Sequence, residues 1–478
     1  MKIIAFLLFI TFGLHAQSDQ LDILSYQLDM SIPLDHQGLE YPQNTLTAIA
    51  RIEISPMQAT SSVSLLLHRL LNVTKAYDEK GNPYKITQSL VRIEGWETFQ
   101  LNHITLTFSK QATVGDVVTF VLEYQGHVSG YQETGMLYVQ ESLDPKFTII
   151  RPESFSYPQL MEPSEESMSK RWRSDDKFTQ QVQLTLPSTH CAATGYTLKA
   201  KTSVGTQVKW HYESPAPAAA IVMPIAPYHV IEKGSYSVYY FEDDEDGAQR
   251  IIVGIGEVFD LYARWMGPLL TQPKFVLAEI PDMYGSQVVM PTIIQTAPSF
   301  RSPESMGELY HEIAHFWNAR DTDLKSPRWN EGQSMFLQYL AYDELNERGT
   351  FVPSLTKRLE RMKNYFKSHT EQISISEYGK KGVTSSLSYG IGPLFFYVLC
   401  EVMGKEKLLA AMGEFYRQFE KSGAGIDDLP KFLIKKDKKV KSVIDDWYYG
   451  TRYIELIKNA NTVSELAAAY KVSIEKDD

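Results

Sequence analysis

Two histidines four positions apart, followed by a glutamate further along the chain, constrain this protein more than any other feature. Segment 311–315 reads HEIAH and segment 329–332 reads WNEG. On a helix, residues four apart lie on one face, so His311 and His315 can reach a single metal ion. Glu331, on a second helix, is the expected third ligand. The fold must therefore bring two neighbouring helices together around one ion.

The chemistry of this ligand set favours zinc. Zn²⁺ binds neutral imidazole nitrogen and carboxylate oxygen, and three protein ligands leave a fourth position open, as in catalytic sites. We therefore predict one Zn²⁺ per chain, with Glu312 beside it as the base that takes a proton from water. Two alternatives remain: an ordinary pair of helix histidines, and Glu331 as an acid in a first helical turn. Glu308 is either a support for a ligand histidine or a solvent-facing acid.

The composition indicates a globular, acidic protein with several domains. The chain has 478 residues, of which 43% are hydrophobic and 22% charged, and its net charge is −11. The sequence shows no long basic face, so nucleic acid is not an expected partner. No segment after the N-terminus is long and apolar enough to span a membrane, and no signal indicates a particular oligomeric state.

The N-terminus has the pattern of a secretory signal. Residues 1–16 contain Lys2, an apolar run over 3–14 and a small residue, Ala16, at the expected cleavage point. The run is shorter than the roughly 20 residues that a membrane span needs; the alternative is an uncleaved anchor. We expect a periplasmic or extracellular protein. Cys191 and Cys400 are expected to be buried and free, the alternative being one long-range disulfide.

Hydrophobic periodicity divides the chain into two parts. Apolar and polar residues alternate in the runs 25–30, 46–54, 117–124 and 179–186, which predicts β-strands. The second part has predicted strands at 236–241, 275–280 and 291–296, a helix near 256–266 and helices from 303 to 450. We predict an α+β protein with a signal peptide (1–16), an antiparallel β-sandwich or saddle domain (17–235), a catalytic domain (236–450) and a tail (451–478).

The residues around the histidines resemble a known family. Segment 311–317, HEIAHFW, resembles the HELAHQW signature of the membrane alanyl aminopeptidase family, the gluzincins that include aminopeptidase N. Segment 329–332 resembles its WLNEG block, and 388–395, SYGIGPLF, resembles the segment with its catalytic tyrosine. The resemblance implies that Tyr389 donates a hydrogen bond to the oxyanion. Without the resemblance, Tyr389 would be read as a packing residue.

Weaker matches extend this resemblance over about 21–450. Segment 157–163, YPQLMEP, resembles the family's FPCFDEP stretch, and 443–447, VIDDW, resembles the end of its catalytic domain. The resemblance implies a β domain followed by a thermolysin-like zinc peptidase domain with a small sheet lobe and a helical lobe.

Three departures from the family pattern bear on specificity. The connection between His315 and Glu331 is shorter than the family's. The GxMEN motif, whose glutamate binds the substrate amine, is replaced by GSQVVM at 285–290. No large helical domain follows residue 450, so an open cleft is expected.

The missing amine-binding acid leaves a strand edge as the expected substrate contact. Gly285, Ser286 and Gln287 are the candidate binding residues, through pairing with a peptide backbone. Glu153, Glu162 and Glu279 are alternative sources of the missing charge, although each is more simply read as a surface or structural acid.

These observations predict an exported zinc metallopeptidase that acts on peptides or proteins. Glu312 is the expected general base and Tyr389 the oxyanion donor. The enzyme is expected to be aminopeptidase-like, with relaxed or endopeptidase-like specificity. The alternatives are a catalytically decayed peptide-binding protein on the same scaffold and, with no specific support, a small-molecule hydrolase.

Overall fold

The structure is a computed structural model that describes residues 21–34, 45–172, 176–271, 274–289, 292–322, 329–370, 372–378 and 385–474. The chain divides into two compact units, Met1–Tyr228 and His229–Asp478. The predicted signal peptide, 1–16, lies outside the described residues. Both sheets and helices are abundant, as expected for an α+β protein.

The first unit consists mainly of strands. In chain order its elements are β1 (Leu21–Ser31), β2 (Leu46–Pro56), β3 (Thr60–His68), β4 (Leu71–Tyr77), β5 (Lys85–Ile93), β6 (Trp96–Ala112), β7 (Val118–Gly126), β8 (Thr148–Ile150), β9 (Gln159–Leu160), α1 (Glu165–Trp172), β10 (Thr179–Pro187), β11 (Cys191–Ala192), β12 (Thr197–Val204), β13 (Gln207–Glu213) and β14 (Met223–Ala226). The four alternating runs of the sequence fall in β1, β2, β7 and β10.

Two of its sheets share one hydrophobic core. The strand orders are β12-β13-β10-β1-β2-β7-β4 and β5-β6-β3-β9, with a small third sheet, β11-β14-β8. Leu28 and Ile52 from the larger sheet and Leu65 and Ile104 from the smaller one belong to the same buried cluster. Alternation along β2 places every second side chain in this core, because successive side chains of a strand point to opposite faces. This is the arrangement of a β-sandwich.

The second unit begins with a mixed sheet and continues in helices. Its elements are β15 (His229–Lys233), β16 (Tyr236–Tyr240), α2 (Glu245–Met266), β17 (Phe275–Ile280), β18 (Gln287–Val289), β19 (Thr292–Thr296), α3 (Pro298–Arg301), α4 (Met306–Ala314), α5 (Asn330–Leu345), α6 (Phe351–Ser368), α7 (Ser385–Met403), α8 (Lys405–Phe419), α9 (Asp428–Lys436), α10 (Lys441–Val443), α11 (Arg452–Asn459) and α12 (Val463–Ile474). The strand order is β15-β16-β17-β19-β18, which leaves β18 at an edge.

Helices α4, α5 and α7 carry the residues of interest. Helix α5 packs against both α4 and α7. Ile313 of α4, Phe336 of α5 and Leu394 of α7 belong to one buried cluster. The positions of these helices are therefore set by burial of their apolar faces.

Several details differ from the sequence-based predictions. Strand β1 pairs with β10 in parallel, so the first unit is not wholly antiparallel. Strand β15 forms a hairpin with β16 and joins the second unit, which begins before the expected boundary at 235. Within the segment expected to be a tail, α11 and α12 are formed, and Tyr453 of α11 and Leu466 of α12 are buried in the helical core.

Two further predictions concern cysteines and membrane spans. Cys191 and Cys400 are both free, but Cys191 is only partly buried. Among the described helices, no single one is long and apolar enough to cross a membrane; 387–403 and 405–419 meet that criterion only as a pair, bent by 118°.

Candidate metal centre and active site

The two histidines of the HEIAH segment lie at the end of α4. His311 is inside the helix, whereas His315 begins a single 3₁₀ turn, His315–Trp317, that continues it. The backbone of His315 is still helical, with φ −59° and ψ −21°, so its side chain stays on the face of His311. The chain becomes extended at Asn318 (φ −85°, ψ 140°), which ends the turn.

Helix α5 begins one residue before Glu331 and is tied to the segment after His315. The indole N–H of Trp329 donates to the carbonyl of Ala319 at 3.3 Å, and the amide of Gln333 donates to the carbonyl of Trp317 at 3.2 Å. These hydrogen bonds bring the first turn of α5, with Glu331, against the end of the histidine helix. The connecting residues 323–328 lie outside the described part of the chain.

Three donor atoms converge at this junction. Nε2 of His311 lies 3.1 Å from Oε2 of Glu331 and 3.2 Å from Nε2 of His315, and the remaining side of the triangle is 3.5 Å. In a tetrahedral zinc site with bonds of about 2.05 Å, neighbouring ligand atoms lie about 3.3 Å apart. The observed triangle therefore has the size that a zinc ion requires, and the shortened connection does not keep Glu331 away.

The electrostatics of the cluster are those of an anion facing two imidazoles. Burial raises the pKa of Glu331, but hydrogen bonds with His311 and His315 outweigh burial and hold that pKa well below its ordinary value. Burial lowers the pKa of His315, whereas the hydrogen bond and the charge of Glu331 raise it, with a net increase. The carboxylate is thus ionised over the physiological range and is suited to bind a cation.

Glu312 is placed beside the converging atoms. Its side chain is partly buried, and burial raises its pKa, while His311 and His315 oppose that rise. A carboxylate with a raised pKa in this position is a better proton acceptor than an exposed one. Glu308 behaves differently: it is exposed and accepts a hydrogen bond from the Ser299 hydroxyl at 2.9 Å, which favours its reading as a surface acid.

Tyr389 lies on α7 at the same cluster. Its ring stacks on that of His311, with centroids 5.8 Å apart and planes inclined by 24°. Burial raises the pKa of Tyr389, and the charge of Glu331 and a hydrogen bond to it add to the rise. The phenol therefore keeps its proton at neutral pH and is available as a hydrogen-bond donor.

The candidate substrate-binding residues lie at the edge of the mixed sheet. Gly285 has φ +75°, a conformation that glycine adopts without strain. The Ser286 hydroxyl accepts a hydrogen bond from the Thr296 N–H at 3.2 Å, so it is engaged within the sheet. Gln287 begins the edge strand β18 and pairs with Ile294. Gln287 thus lies on the edge strand, and Gly285 and Ser286 directly precede it; their contact with substrate stays a prediction.

The three acids considered as substitutes for the amine-binding glutamate are divided between the two units. Glu153 and Glu162 belong to the first unit. Glu279 is buried in β17; it accepts a hydrogen bond from the Phe241 N–H at 2.7 Å and hydrogen-bonds with Asp244. Burial raises the pKa of Glu279 to about 9, so this acid is neutral at pH 7 and cannot pair with an ammonium group.

Sequence reasoning missed two polar residues beside His315. Nδ1 of His315 is 2.6 Å from Oδ1 of Asn318 and 3.2 Å from Oγ of Ser334. Ser334 lies three positions after Glu331 on α5, a spacing that places both on one side of that helix and was the available signal. Asn318 lies after the 3₁₀ turn, where the chain is extended, so no helical spacing identifies it.

Comparison with known proteins gives a match in structure alone. No family model matches the chain, and no curated protein matches it. Among solved structures, the M1 zinc metallopeptidase from Deinococcus radiodurans is similar with a TM-score of 0.60 and 13% identity over 90% of this chain and 94% of that one.

Two related structures contain ligands. A mutant of the Deinococcus radiodurans enzyme bound to a Tyr-Ser-Ala substrate has a TM-score of 0.59 and 13% identity, over 90% of this chain and 95% of that one. A two-domain M1 zinc metallopeptidase mutant bound to L-arginine has a TM-score of 0.57 and 14% identity, over 93% and 95% of the two chains. The chain therefore has the fold of the two-domain M1 zinc metallopeptidases.

Proposed function

We propose that this protein is a zinc metallopeptidase that hydrolyses peptide bonds with water. The observation that carries the proposal is the triangle of His311 Nε2, His315 Nε2 and Glu331 Oε2, with sides of 3.1, 3.2 and 3.5 Å. Glu312 and Tyr389 lie beside this triangle. The fold shared with M1 zinc metallopeptidases supports the same conclusion.

The chain supplies the groups that peptide hydrolysis needs. His311, His315 and Glu331 would hold zinc, which polarises a carbonyl and makes water acidic enough to react at neutral pH. Glu312 accepts the proton of the attacking water and passes it to the leaving amine. Tyr389, with its proton retained, donates a hydrogen bond to the oxygen on which negative charge develops.

The missing amine-binding acid favours a specificity that does not depend on a free N-terminus. An aminopeptidase needs a carboxylate for the substrate ammonium. Here the corresponding segment offers Gln287 and two valines instead, and Glu279 is neutral. We propose relaxed or endopeptidase-like cleavage, with the peptide backbone paired to the edge of β18.

A peptide panel read by mass spectrometry tests this specificity. Each peptide is offered with a free and with an acetylated N-terminus. Comparable cleavage of both forms, with internal cuts, is expected. Exclusive release of single residues from free N-termini would overturn the relaxed specificity while leaving the peptidase in place.

A substitution of the proposed base tests the mechanism. Glu312→Gln keeps the shape of the side chain but cannot accept the proton, so kcat should fall about 100- to 10,000-fold. Glu308→Gln, on the same helix but exposed, is the matched control and should leave activity near that of the wild type. Equal activity of the Glu312→Gln variant and the wild type would contradict the assignment.

The alternative function is peptide binding without catalysis. Such a protein needs neither Glu312 nor Tyr389 beside the triangle, so their placement favours the peptidase. Zinc analysis before and after chelation separates the two. One zinc per chain together with turnover that chelation abolishes would exclude the binding protein.

We further propose that the protein is exported, on the evidence of the apolar run at 3–14. N-terminal sequencing of the mature protein is the test. A start at residue 17 supports removal of a signal peptide, and a start at Met1 contradicts it.

A further inference from the structure

The second ring nitrogen of His315, Nδ1, lies among polar side chains. Nδ1 of His315 lies 2.6 Å from Oδ1 of Asn318 and 3.2 Å from Oγ of Ser334. The Ser334 hydroxyl also donates to Oδ1 of Asn318 at 3.3 Å. Ser334 is fully buried and Asn318 is partly buried. Water therefore competes little for these hydrogen bonds.

This environment determines which nitrogen of His315 carries the proton. An amide oxygen can only accept a hydrogen bond, so Nδ1 is the donor. In a neutral imidazole the lone pair then lies on Nε2. Nε2 is the atom that faces Nε2 of His311 at 3.2 Å and Oε2 of Glu331 at 3.5 Å.

The position of Asn318 is itself held by α5. Carbonyl groups on both sides of it accept side-chain hydrogen bonds, Trp317 from Gln333 and Ala319 from Trp329. Ser334 follows Glu331 by three residues on the same helix. One helix thus provides both a candidate ligand and the support for another.

The other histidine has no comparable support. Nδ1 of His311 is buried and has no hydrogen-bond partner within the described ranges of the chain. The two imidazoles are therefore held differently: His311 by packing that includes the stacked ring of Tyr389, and His315 by hydrogen bonds to its Nδ1.

We propose that Asn318 and Ser334 are positioning residues that fix the tautomer and ring orientation of His315 for metal binding. The inference rests on the proposed function, because it takes His315 as a zinc ligand. Asn318 accepts the Nδ1 proton, and Ser334 orients the Asn318 amide. Loss of such a support typically weakens metal affinity about 10- to 100-fold.

Zinc affinity, measured by competition with a chromogenic chelator, tests the proposal. Asn318→Leu keeps the approximate shape but removes the acceptor, and should raise the zinc Kd about 10- to 100-fold. Asn318→Asp presents an oxygen in either orientation and should keep the Kd at or below that of the wild type. Ser334→Ala should raise the Kd about 2- to 10-fold.

Asn346→Ala is the matched control, since it removes another asparagine hydrogen bond in this unit. Oδ1 of Asn346 accepts from the Tyr310 hydroxyl at 2.8 Å. This variant should bind zinc as the wild type does. If Asn318→Leu has the Kd of this control, the proposal is overturned. If the wild type itself does not bind zinc, the proposed function fails instead.

A spectroscopic readout separates positioning from general destabilisation. The ¹⁵N chemical shifts of His315 in the zinc-loaded wild type should show a proton on Nδ1, and those of Asn318→Asp should show the same tautomer. Unfolding of each zinc-free variant is measured alongside. The proposal would also be overturned if, in both Asn318→Asp and Asn318→Leu, the zinc Kd rose only in proportion to the stability that the zinc-free variant had lost.

Discussion

Gly332 and Gly392 bring α5 and α7 into backbone contact. A Cβ built on Gly332 would lie 2.5 Å from Cα of Gly392, and one on Gly392 would lie 2.3 Å from Cα of Gly332. Gly332 follows Glu331, and Gly392 lies three residues after Tyr389. The contact therefore sets how closely the candidate ligand and the phenol approach each other, since a side chain at either glycine would push the helices apart.

Gly332→Ala and Gly392→Ala should each separate these helices. We expect a loss of about 1–3 kcal/mol in the free energy of unfolding, because backbone atoms cannot move aside as a side chain can. Activity per folded molecule should also fall, because Tyr389 moves away from Glu331. Urea unfolding and kcat/KM measure the two effects.

Gly256→Ala in α2 is the control for this pair. A Cβ there meets nothing closer than Tyr236, at 3.9 Å, so alanine should stabilise the helix by about 0.5–1 kcal/mol. Full activity in both Gly332→Ala and Gly392→Ala would show that the helix contact does not position the catalytic groups.

Removal of the Tyr389 hydroxyl should impair catalysis without loss of metal. In Tyr389→Phe we expect kcat to fall about 100- to 1,000-fold, as for other lost oxyanion donors. KM and zinc content should change little, because the ring still stacks on His311. Tyr365→Phe, at a ring that stacks on His369, is the control. A loss of zinc in Tyr389→Phe would indicate a structural role instead.

Zinc should stabilise the folded protein through the three converging atoms. A ligand at about 100 times its Kd adds about 2.7 kcal/mol when it binds only the folded state. The melting temperature of metal-free protein should therefore rise with added zinc, and His311→Ala should abolish the rise. A zinc response that survives in His311→Ala would place the ion elsewhere.

Glu279 should make stability fall as the pH rises. Burial raises its folded-state pKa from 4.5 to about 9, while the nearby Asp244, paired with Arg301, keeps a lowered pKa. Between pH 4.5 and about pH 9, Glu279 loses its proton in the unfolded chain but keeps it in the folded protein. Unfolding therefore becomes progressively easier as the pH rises through this range. The stabilisation is complete below about pH 4.5 and lost by about pH 9.

Glu279→Gln isolates this contribution. Its amide stays neutral, so urea midpoints at pH 5, 7 and 9 should decline less steeply than those of the wild type. Parallel curves for the two proteins would show that Glu279 is ionised in the folded state.

The placement of Ser286 and Glu279 shows the limit of sequence patterns. Ser286 was a candidate for contact with substrate, whereas Glu279 was more simply read as a surface or structural acid. In the fold the Ser286 hydroxyl accepts from Thr296, and Glu279 is buried beside Asp244. These partners come from other elements, so no local pattern identifies them. Likewise, the parallel pairing of β1 with β10 joins segments far apart in the chain.

The sequence by itself determined four strands of the first unit, β1, β2, β7 and β10, and the face that His311 and His315 share. Both follow from periodicity, because a strand repeats every two residues and a helix every 3.6. Only the tertiary structure decided that Glu331 reaches them, that Asn318 and Ser334 support His315, and that two glycines bring Tyr389 close. Those relationships depend on how apolar faces pack between helices distant in the chain, and packing between distant elements leaves no repeat in the sequence.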